Sequence, residues 1–163
     1  MIKLSEILIT EIGEGSQPYS YTKAADTEDM IAYAFKGKYE DPYVVKFKAK
    51  KTEPGVYVLS FYPGTSLSSD AENEKIDTIT NGGDALKIIS TVVAITKEVI
   101  TNNQDRITGI NWIGIISPDK EGSEIQRDNL YAAYLKKNIA SIPNWVNVSK
   151  PSSPVTKIRR KKP

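Results

Sequence analysis

The apolar side chains of this chain change their spacing once, and this change most constrains the fold. In residues 43–49 they occupy every second position with lysines between them, which predicts a half-buried strand. Residues 56–62 form a second strand-like run, and the turn signal at residues 53–55 joins the two runs into a predicted hairpin. From residue 85 to residue 100 the apolar residues recur every three or four positions, which predicts an amphipathic helix capped by Asp84.

Weaker patterns predict the other elements. The order along the chain is then several strands, a long helix, a strand, a helix and a last strand. We therefore predict an α+β fold, a mostly antiparallel sheet with two main helices packed on it. The further predicted elements are a helix over residues 1–12, strands over residues 19–22, 30–35, 107–116 and 145–148, and the second main helix over residues 123–140.

The chain contains no cysteine and no histidine. Disulfides, thiolate nucleophiles, imidazole bases, Ser-His-Asp triads and zinc sites built on these residues are thereby excluded. We expect no catalytic residue, no metal and no cofactor, because the acidic clusters lie in predicted loops or helix starts and lack the ligand register of an EF-hand. These clusters are Asp26, Glu28 and Asp29; Asp70, Glu72, Glu74 and Asp77; and Asp119, Glu121, Glu124 and Asp128.

Charge is divided unevenly along the chain. Residues 1–149 carry 16 basic and 20 acidic side chains, whereas residues 150–163 carry six basic side chains and no acidic one. We predict a single α+β domain over residues 1–149 and a basic, extended tail containing proline and serine over residues 150–163. The tail is either a solubilising terminus or an arm that contacts a neighbouring protein or, without specificity, nucleic-acid phosphates.

We expect the two tryptophans to occupy different positions in the fold. Trp112 lies in a predicted buried strand and is expected in the core. Trp145 precedes the basic tail and is expected either in the core or as an exposed anchor, since tryptophan is enriched among binding hot spots. The predicted contacts to a partner or to nucleic acid are Trp145, Lys157, Arg159, Arg160, Lys161 and Lys162.

The amino-terminal segment does not read as a targeting signal. Its apolar stretch is interrupted by Glu6 and lacks the core of a signal peptide. No apolar run approaches the roughly 18 residues of a membrane span. We therefore expect a protein that is not secreted through a signal peptide and that does not contact a membrane.

Two motifs carry a resemblance to a family. Residues 80–84 read Thr-Asn-Gly-Gly-Asp and precede an apolar helix with Ser-Thr-Val at residues 90–92; after the next strand come Arg127 and Leu130-Tyr131. In combination, these motifs resemble a group of small, uncharacterised tailed-phage proteins over about residues 43–140. The resemblance implies a phage origin, other proteins of a phage particle or assembly as partners, and a location in the virion or the host cytoplasm.

A second resemblance concerns the order of elements. Strands, a Gly-led helix, a strand and a Tyr-bearing helix follow one another in a way that is similar to GNAT-type acyltransferases. In that family the amino end of the helix binds the pyrophosphate of acyl-CoA, because free amides and the helix dipole favour an anion. The resemblance assigns this role to Asn81, Gly82 and Gly83. The alternative is a flexible turn that leads into a capped helix.

The sequence also departs from the acyltransferase pattern. It implies that Tyr131 or Tyr134 protonates the leaving thiolate. The basic or amide residue followed by Gly-x-Gly/Ala is not reproduced, however, and Asp84 places a carboxylate where a phosphate would bind.

The sequence thus supports two functions. The first is a non-catalytic, phage-type structural or assembly protein that docks through its α+β body and a basic carboxyl-terminal arm. The alternative is a GNAT-like acyl-CoA-dependent acyltransferase, either active or degenerate.

Overall fold

The computed structural model describes residues 17–65, 67, 85–113, 137–138, 142–148 and 155–161. Seven strands and one helix lie within these ranges. They are β1 (Tyr21–Asp26), β2 (Met30–Lys36), β3 (Pro42–Ala49), β4 (Val56–Pro63), α1 (Ala85–Asn102), β5 (Gly109–Ile113), β6 (Trp145–Asn147) and β7 (Val155–Arg160).

The seven strands form one mixed sheet in the order β1-β2-β3-β4-β5-β7-β6. Strands β1 to β4 are successive antiparallel neighbours. Strand β5 is parallel to β4, a connection that requires a long crossover, and α1 supplies it. Strand β7 then runs antiparallel between β5 and β6. The described part of the chain is therefore mostly sheet, with a helix packed on it.

One face of the sheet packs against α1. The side chains of this face stand in cross-strand rows such as Tyr33, Val45 and Phe61, because alternate residues of a strand point to the same side. The apolar stripe of α1 meets them, and each large apolar side chain buried in this way contributes about 1.5–3 kcal/mol. The helix residues of this core are Ile88, Ile89, Val92, Val93, Ile95, Val99 and Ile100.

The centre of the other face of the sheet is also buried, and this corrects part of one prediction. Residues 43–49 were expected to form a half-buried strand; Lys48 is exposed as expected, yet Val44 and Lys46 of β3 are 2% and 1% exposed. Lys46 Nζ donates a hydrogen bond to the carbonyl of Leu67 (3.3 Å) and lies 6.0 Å from the ring of Tyr62. The lysine was misleading because its long stem can be buried while its amine finds polar partners.

The central elements agree with the sequence. The hairpin of β3 and β4 is confirmed, with Phe47 opposite Leu59. The long helix is confirmed over Ala85–Asn102, and strand β2 is confirmed with a one-residue extension. Strand β1 begins two residues later than expected and extends to Asp26.

Some predicted elements fall outside the described residues. These are the helix over residues 1–12, the Asp84 cap, and residues 114–116 of the strand that we observe as β5. Of the second main helix, only residues 137 and 138 are described, and they are helical. The described ranges thus contain one of the two main helices that the sequence predicts.

The predicted basic, extended tail includes Val155–Arg160, and the structure places these six residues in the sheet. These residues form β7, in the interior of the strand order rather than beyond it. Ile158 stands opposite Ile110 of β5 and is completely buried. The prediction of a tail was based on the basic charge and the proline content of residues 150–163. It did not take into account that a buried isoleucine in an alternating run can hold a strand in a sheet.

Membrane insertion through a helix finds no support in the described residues: none of their helical stretches has the combined length and apolarity that crossing requires.

Candidate functional site

The parallel strands β4 and β5 pair over only three positions. The pairs are Val56–Gly109, Tyr57–Ile110 and Val58–Asn111. The next position of this register would join Leu59 to Trp112, and both residues lie in strands, but they are not paired. Within the described residues, the pairing of β4 with β5 therefore ends at Val58–Asn111. We call the carboxyl end of this pairing the β4/β5 opening.

The amino ends of the two strands are held together. The Gly55 carbonyl accepts hydrogen bonds from the backbone amides of Thr108 (2.8 Å) and Gly109 (3.2 Å). A Cβ at Gly109 would lie 2.7 Å from Cδ of Arg159, so the path of the Arg159 side chain depends on this glycine. The two strands are thus held together at their amino ends.

Arg159 links three elements at the fastened end. Its guanidinium donates to Oδ1 of the buried Asn111 on β5 (2.7 Å) and to Oε2 of Glu53 in the β3–β4 turn (3.3 Å). The pKa of Glu53 is lowered, first by its hydrogen bond from Lys50 and then by the charges of Lys50 and Arg159. A side chain predicted to contact a partner is therefore engaged inside the molecule.

The first turns of α1 pack against Tyr19, just before β1. Lys87 Nζ is 4.4 Å from the ring of Tyr19, and Tyr19 stacks on Phe35 of β2. The amide of Tyr19 donates a hydrogen bond to Thr91 of α1 (2.9 Å). Because the amino end of a helix carries partial positive charge, it favours an anion, here on the side of Tyr19.

Trp112 is the residue of β5 that follows the last pair with β4, at the β4/β5 opening. It is 2% exposed and belongs to the same core cluster as the buried face of α1. Among the described residues, its indole Nε1 is the one buried side-chain nitrogen or oxygen without a hydrogen-bond partner. The sequence predicted that Trp112 is buried, which is confirmed, but it did not indicate that its N–H lacks an acceptor.

The glycine-led turn at Asn81, Gly82 and Gly83 lies outside the described residues, as do Arg127, Tyr131 and Tyr134. The anion-binding role of that turn and the tyrosine role therefore stay predictions.

The structure places most of the expected partner-contact residues on two neighbouring strands, β6 and β7. Trp145 pairs with Arg160 and is 5% exposed, so it belongs to the core and is not an exposed anchor. The Arg160 guanidinium donates to the carbonyl of Gln104. Lys157 is half-buried and Lys161 is exposed, while Lys162 lies outside the described residues.

In the acidic cluster of Asp26, Glu28 and Asp29, the structure describes the ion pairs of Asp26. Asp26 forms ion pairs with Arg106 (2.9 Å) and Lys23 (3.1 Å). The hydrogen bond from Arg106, followed by that from Lys23, lowers the pKa of Asp26. Across the described residues, no three acidic side chains come together as metal ligands would. The clusters at residues 70–77 and 119–128 lie outside those residues.

Two tyrosines tie the first strands to α1. Tyr21 donates a hydrogen bond to Glu98 of α1 (3.3 Å), and burial, followed by the charge of Glu98, raises its pKa. Burial and a hydrogen bond to Glu98 also raise the pKa of Tyr33 well above its usual value. These tyrosines stabilise the packing of α1, and they lie on β1 and β2, away from β5.

No protein-family model matches this chain, and neither a curated protein nor a solved structure matches it. The β4/β5 opening, the amino end of α1 and the indole of Trp112 therefore carry the functional argument.

Proposed function

We propose that this chain binds acyl-CoA at the β4/β5 opening, in the manner that its similarity to GNAT-type acyltransferases implies. The observation that supports the proposal is a parallel pair of strands joined by a crossover helix, whose described pairing ends at Val58–Asn111. Ligands of open α/β sheets bind beyond the carboxyl ends of parallel strands, where the connecting helix begins. Strands β4 and β5 with their crossover α1 form such a place.

The charge of the site suits a phosphate-bearing ligand. The pyrophosphate of CoA would lie at the amino end of α1, where backbone amides and the helix dipole favour an anion. Lys87, in the first turns of α1, adds a positive charge near this end. Asn81, Gly82 and Gly83 precede the helix and are proposed to cradle the pyrophosphate, while the pantetheine arm extends along the opening.

The residues of the chain also limit the chemistry. A covalent acyl-cysteine intermediate is excluded because the chain has no cysteine. Transfer would therefore pass the acyl group directly from the thioester sulfur to an acceptor nucleophile. That step breaks the C–S bond and leaves a CoA thiolate, which Tyr131 or Tyr134 is proposed to protonate. If neither does so, the protein is a degenerate member that binds acyl-CoA without transfer.

Calorimetry with CoA and acetyl-CoA tests the proposal. Lys87→Gln is expected to weaken CoA binding severalfold, because it removes one charge near the pyrophosphate. Lys97→Gln, which removes the same charge farther along the same helix, is the matched control and is expected to bind like the wild type. Gly83→Val is expected to weaken binding further, because a side chain would fill the cradle. Absence of heat at millimolar CoA would contradict the proposal.

A second candidate is the docking function that the phage resemblance implies. The observation that favours it is the position of Lys157 on β7 and of the exposed Lys161 directly after β7, beside the β6 edge of the sheet. In this proposal the protein is a non-catalytic component of a phage particle or its assembly. Its basic end contacts another protein of that particle, with unspecific contact to nucleic-acid phosphates as the other outcome.

The docking proposal is tested without disturbing the fold. Lys161→Glu changes an exposed side chain, whereas deletion of residues 150–163 would remove β7. Co-purification from particles and salt-dependent gel shifts would be compared for the wild type, Lys161→Glu and Lys51→Glu, an exposed lysine outside β6 and β7. Loss of the partner with Lys161→Glu alone is expected; equal behaviour of all three proteins would contradict docking through this end.

A further inference from the structure

Strand β7 brings basic side chains of the carboxyl-terminal region onto the same face of the sheet as a lysine of β3. This face is the one opposite α1, because the neighbouring strand residues belong to the core that α1 covers. One cross-strand row of this face consists of Lys48, Val58, Asn111 and Lys157. Lys48 and Lys157 are far apart in the sequence, so the strand order alone places their charges on one surface.

Two further basic side chains on the β7 side share this face. Arg159 follows Lys157 by two positions on β7 and therefore points to the same side of the sheet. Lys161 follows by two more positions, and it continues the ladder because its amide donates a hydrogen bond to the Asn144 carbonyl (2.6 Å). Lys157 is half-buried and Lys161 is exposed.

The β3–β4 turn adds a lysine and the single acidic side chain that contacts this group. The Glu53 carboxylate accepts hydrogen bonds from Lys50 (2.7 Å) and from Arg159 (3.3 Å), so two cations share one anion. We call the five basic residues the basic face: Lys48, Lys50, Lys157, Arg159 and Lys161. Together with Glu53 they sum to four positive charges.

No acidic side chain of the described strands opposes this charge. Those strands carry one acidic residue, Asp26 of β1, and it pairs with Ile31, which belongs to the core on the side of α1. The basic face is therefore a region of positive potential on a domain whose first 149 residues have more acidic than basic side chains. Such a region attracts an anionic partner.

The width of the basic face indicates a polymeric anion. The face extends across four neighbouring strands, β3, β4, β5 and β7. With about 4.8 Å between adjacent strands, the backbones of Lys48 and Lys157 are roughly 14 Å apart. Arg159 lies between them, over Gly109 of β5. A chain of phosphates can contact charges along this whole width, whereas a small anion meets only part of them.

The aromatic side chains of these strands favour a duplex over a single strand. Unpaired bases bind by stacking on exposed aromatic rings. The aromatic side chains of the described parts of β3, β4 and β5 are all at most 4% exposed, and β7 has none. A duplex stacks its bases internally and presents its phosphates, which is what a basic surface without exposed rings can contact.

We infer that the basic face binds the phosphate backbone of a nucleic-acid duplex without reading its sequence. This inference does not depend on acyl-CoA binding. It also differs from docking beside the β6 edge, because it requires Lys48, which lies on β3, three strands away from β7. Lys48 is exposed, so its charge can be removed without disturbing the core.

Fluorescence anisotropy with a short labelled DNA duplex, measured over a range of salt concentrations, tests the inference. Each phosphate contact contributes about 0.9 to the slope of log affinity against log salt concentration. Lys48→Gln and Lys157→Gln are each expected to weaken binding severalfold and to reduce this slope by about 0.9. The matched control is Lys38→Gln, which removes an exposed lysine in the β2–β3 turn, at the opposite end of β3, and is expected to bind like the wild type.

Lys48→Arg separates the effect of charge from an effect on folding, since it keeps the charge and is expected to bind like the wild type. Wild-type affinity and salt slope in Lys48→Gln would overturn the inference, and impairment of Lys161→Glu alone would leave docking beside the β6 edge as the explanation. Tighter binding of the single strand than of the duplex would overturn the duplex as the ligand. Absence of duplex binding at low salt would overturn the inference and leave the acyl-CoA proposal standing.

Discussion

At the residue scale, the fastened end of β4 and β5 depends on one glycine and one arginine. The Arg159 side chain crosses directly over Gly109 to reach Asn111 and Glu53. The sequence could not show this contact, because it joins residues that are 50 positions apart and depends on β7 being a strand. No sequence motif around Gly109 indicated that a side chain would cross over it.

Gly109→Ala is expected to lower the free energy of unfolding by about 1–3 kcal/mol, because its Cβ would displace Arg159. Denaturant unfolding measures the loss. The control is the same change in an Arg159→Ala background, where the obstructing side chain is absent. A smaller loss in that background is expected, and an equal loss in both would show that the contact is not the cause.

The ion pair of Asp26 predicts a pH dependence. Its pKa is lower in the folded state, chiefly because Arg106 donates a hydrogen bond to it. A lowered pKa contributes stability above the unfolded value of about 4, and this contribution is lost as the pH falls through the folded value. The pair is partly exposed, so its contribution is below about 1 kcal/mol. Asp26→Asn is therefore expected to flatten the decline of stability between about pH 5 and pH 2 in thermal unfolding. A decline as steep as in the wild type would contradict this assignment.

At the element scale, the spacing of apolar residues predicted the elements whose pattern depends only on near neighbours in the sequence. The alternation of β2 and β3 and the three- and four-residue spacing of α1 depend on near neighbours, and these elements are confirmed. Strand β7 was missed because its basic residues and the prolines before it outweighed Ile158. The end of the β4–β5 pairing could not be predicted from the sequence, because the pairing of two strands depends on their register. Both residues at that point, Leu59 and Trp112, look like ordinary core residues in the sequence.

Ile158→Ala distinguishes a strand from a free arm. The side chain is completely buried between β5 and the core, so its truncation is expected to cost about 2–5 kcal/mol of unfolding free energy. Lys161→Ala, three residues later and exposed, is expected to change it by less than about 0.5 kcal/mol. Chemical denaturation measures both variants. Equal stability of the two would mean that residues 155–160 do not belong to the sheet.

At the scale of the whole molecule, the basic carboxyl-terminal region has a different meaning from the one its charge indicated. Six of its residues complete the sheet, and two of its arginines are engaged within the domain. This reduces the charge that is available to a partner at this end of the sheet. The absence of cysteine and histidine agrees with a site that works by position, backbone amides and charge.

The central proposal is that acyl-CoA binds at the β4/β5 opening. Amide chemical-shift mapping with acetyl-CoA tests this proposal most directly. The account predicts that the largest shifts fall on Leu59–Tyr62, on Trp112 and on the first turns of α1, while β1 and β6 stay unchanged. Shifts confined to β6 and β7, or no shifts at millimolar ligand, would contradict it.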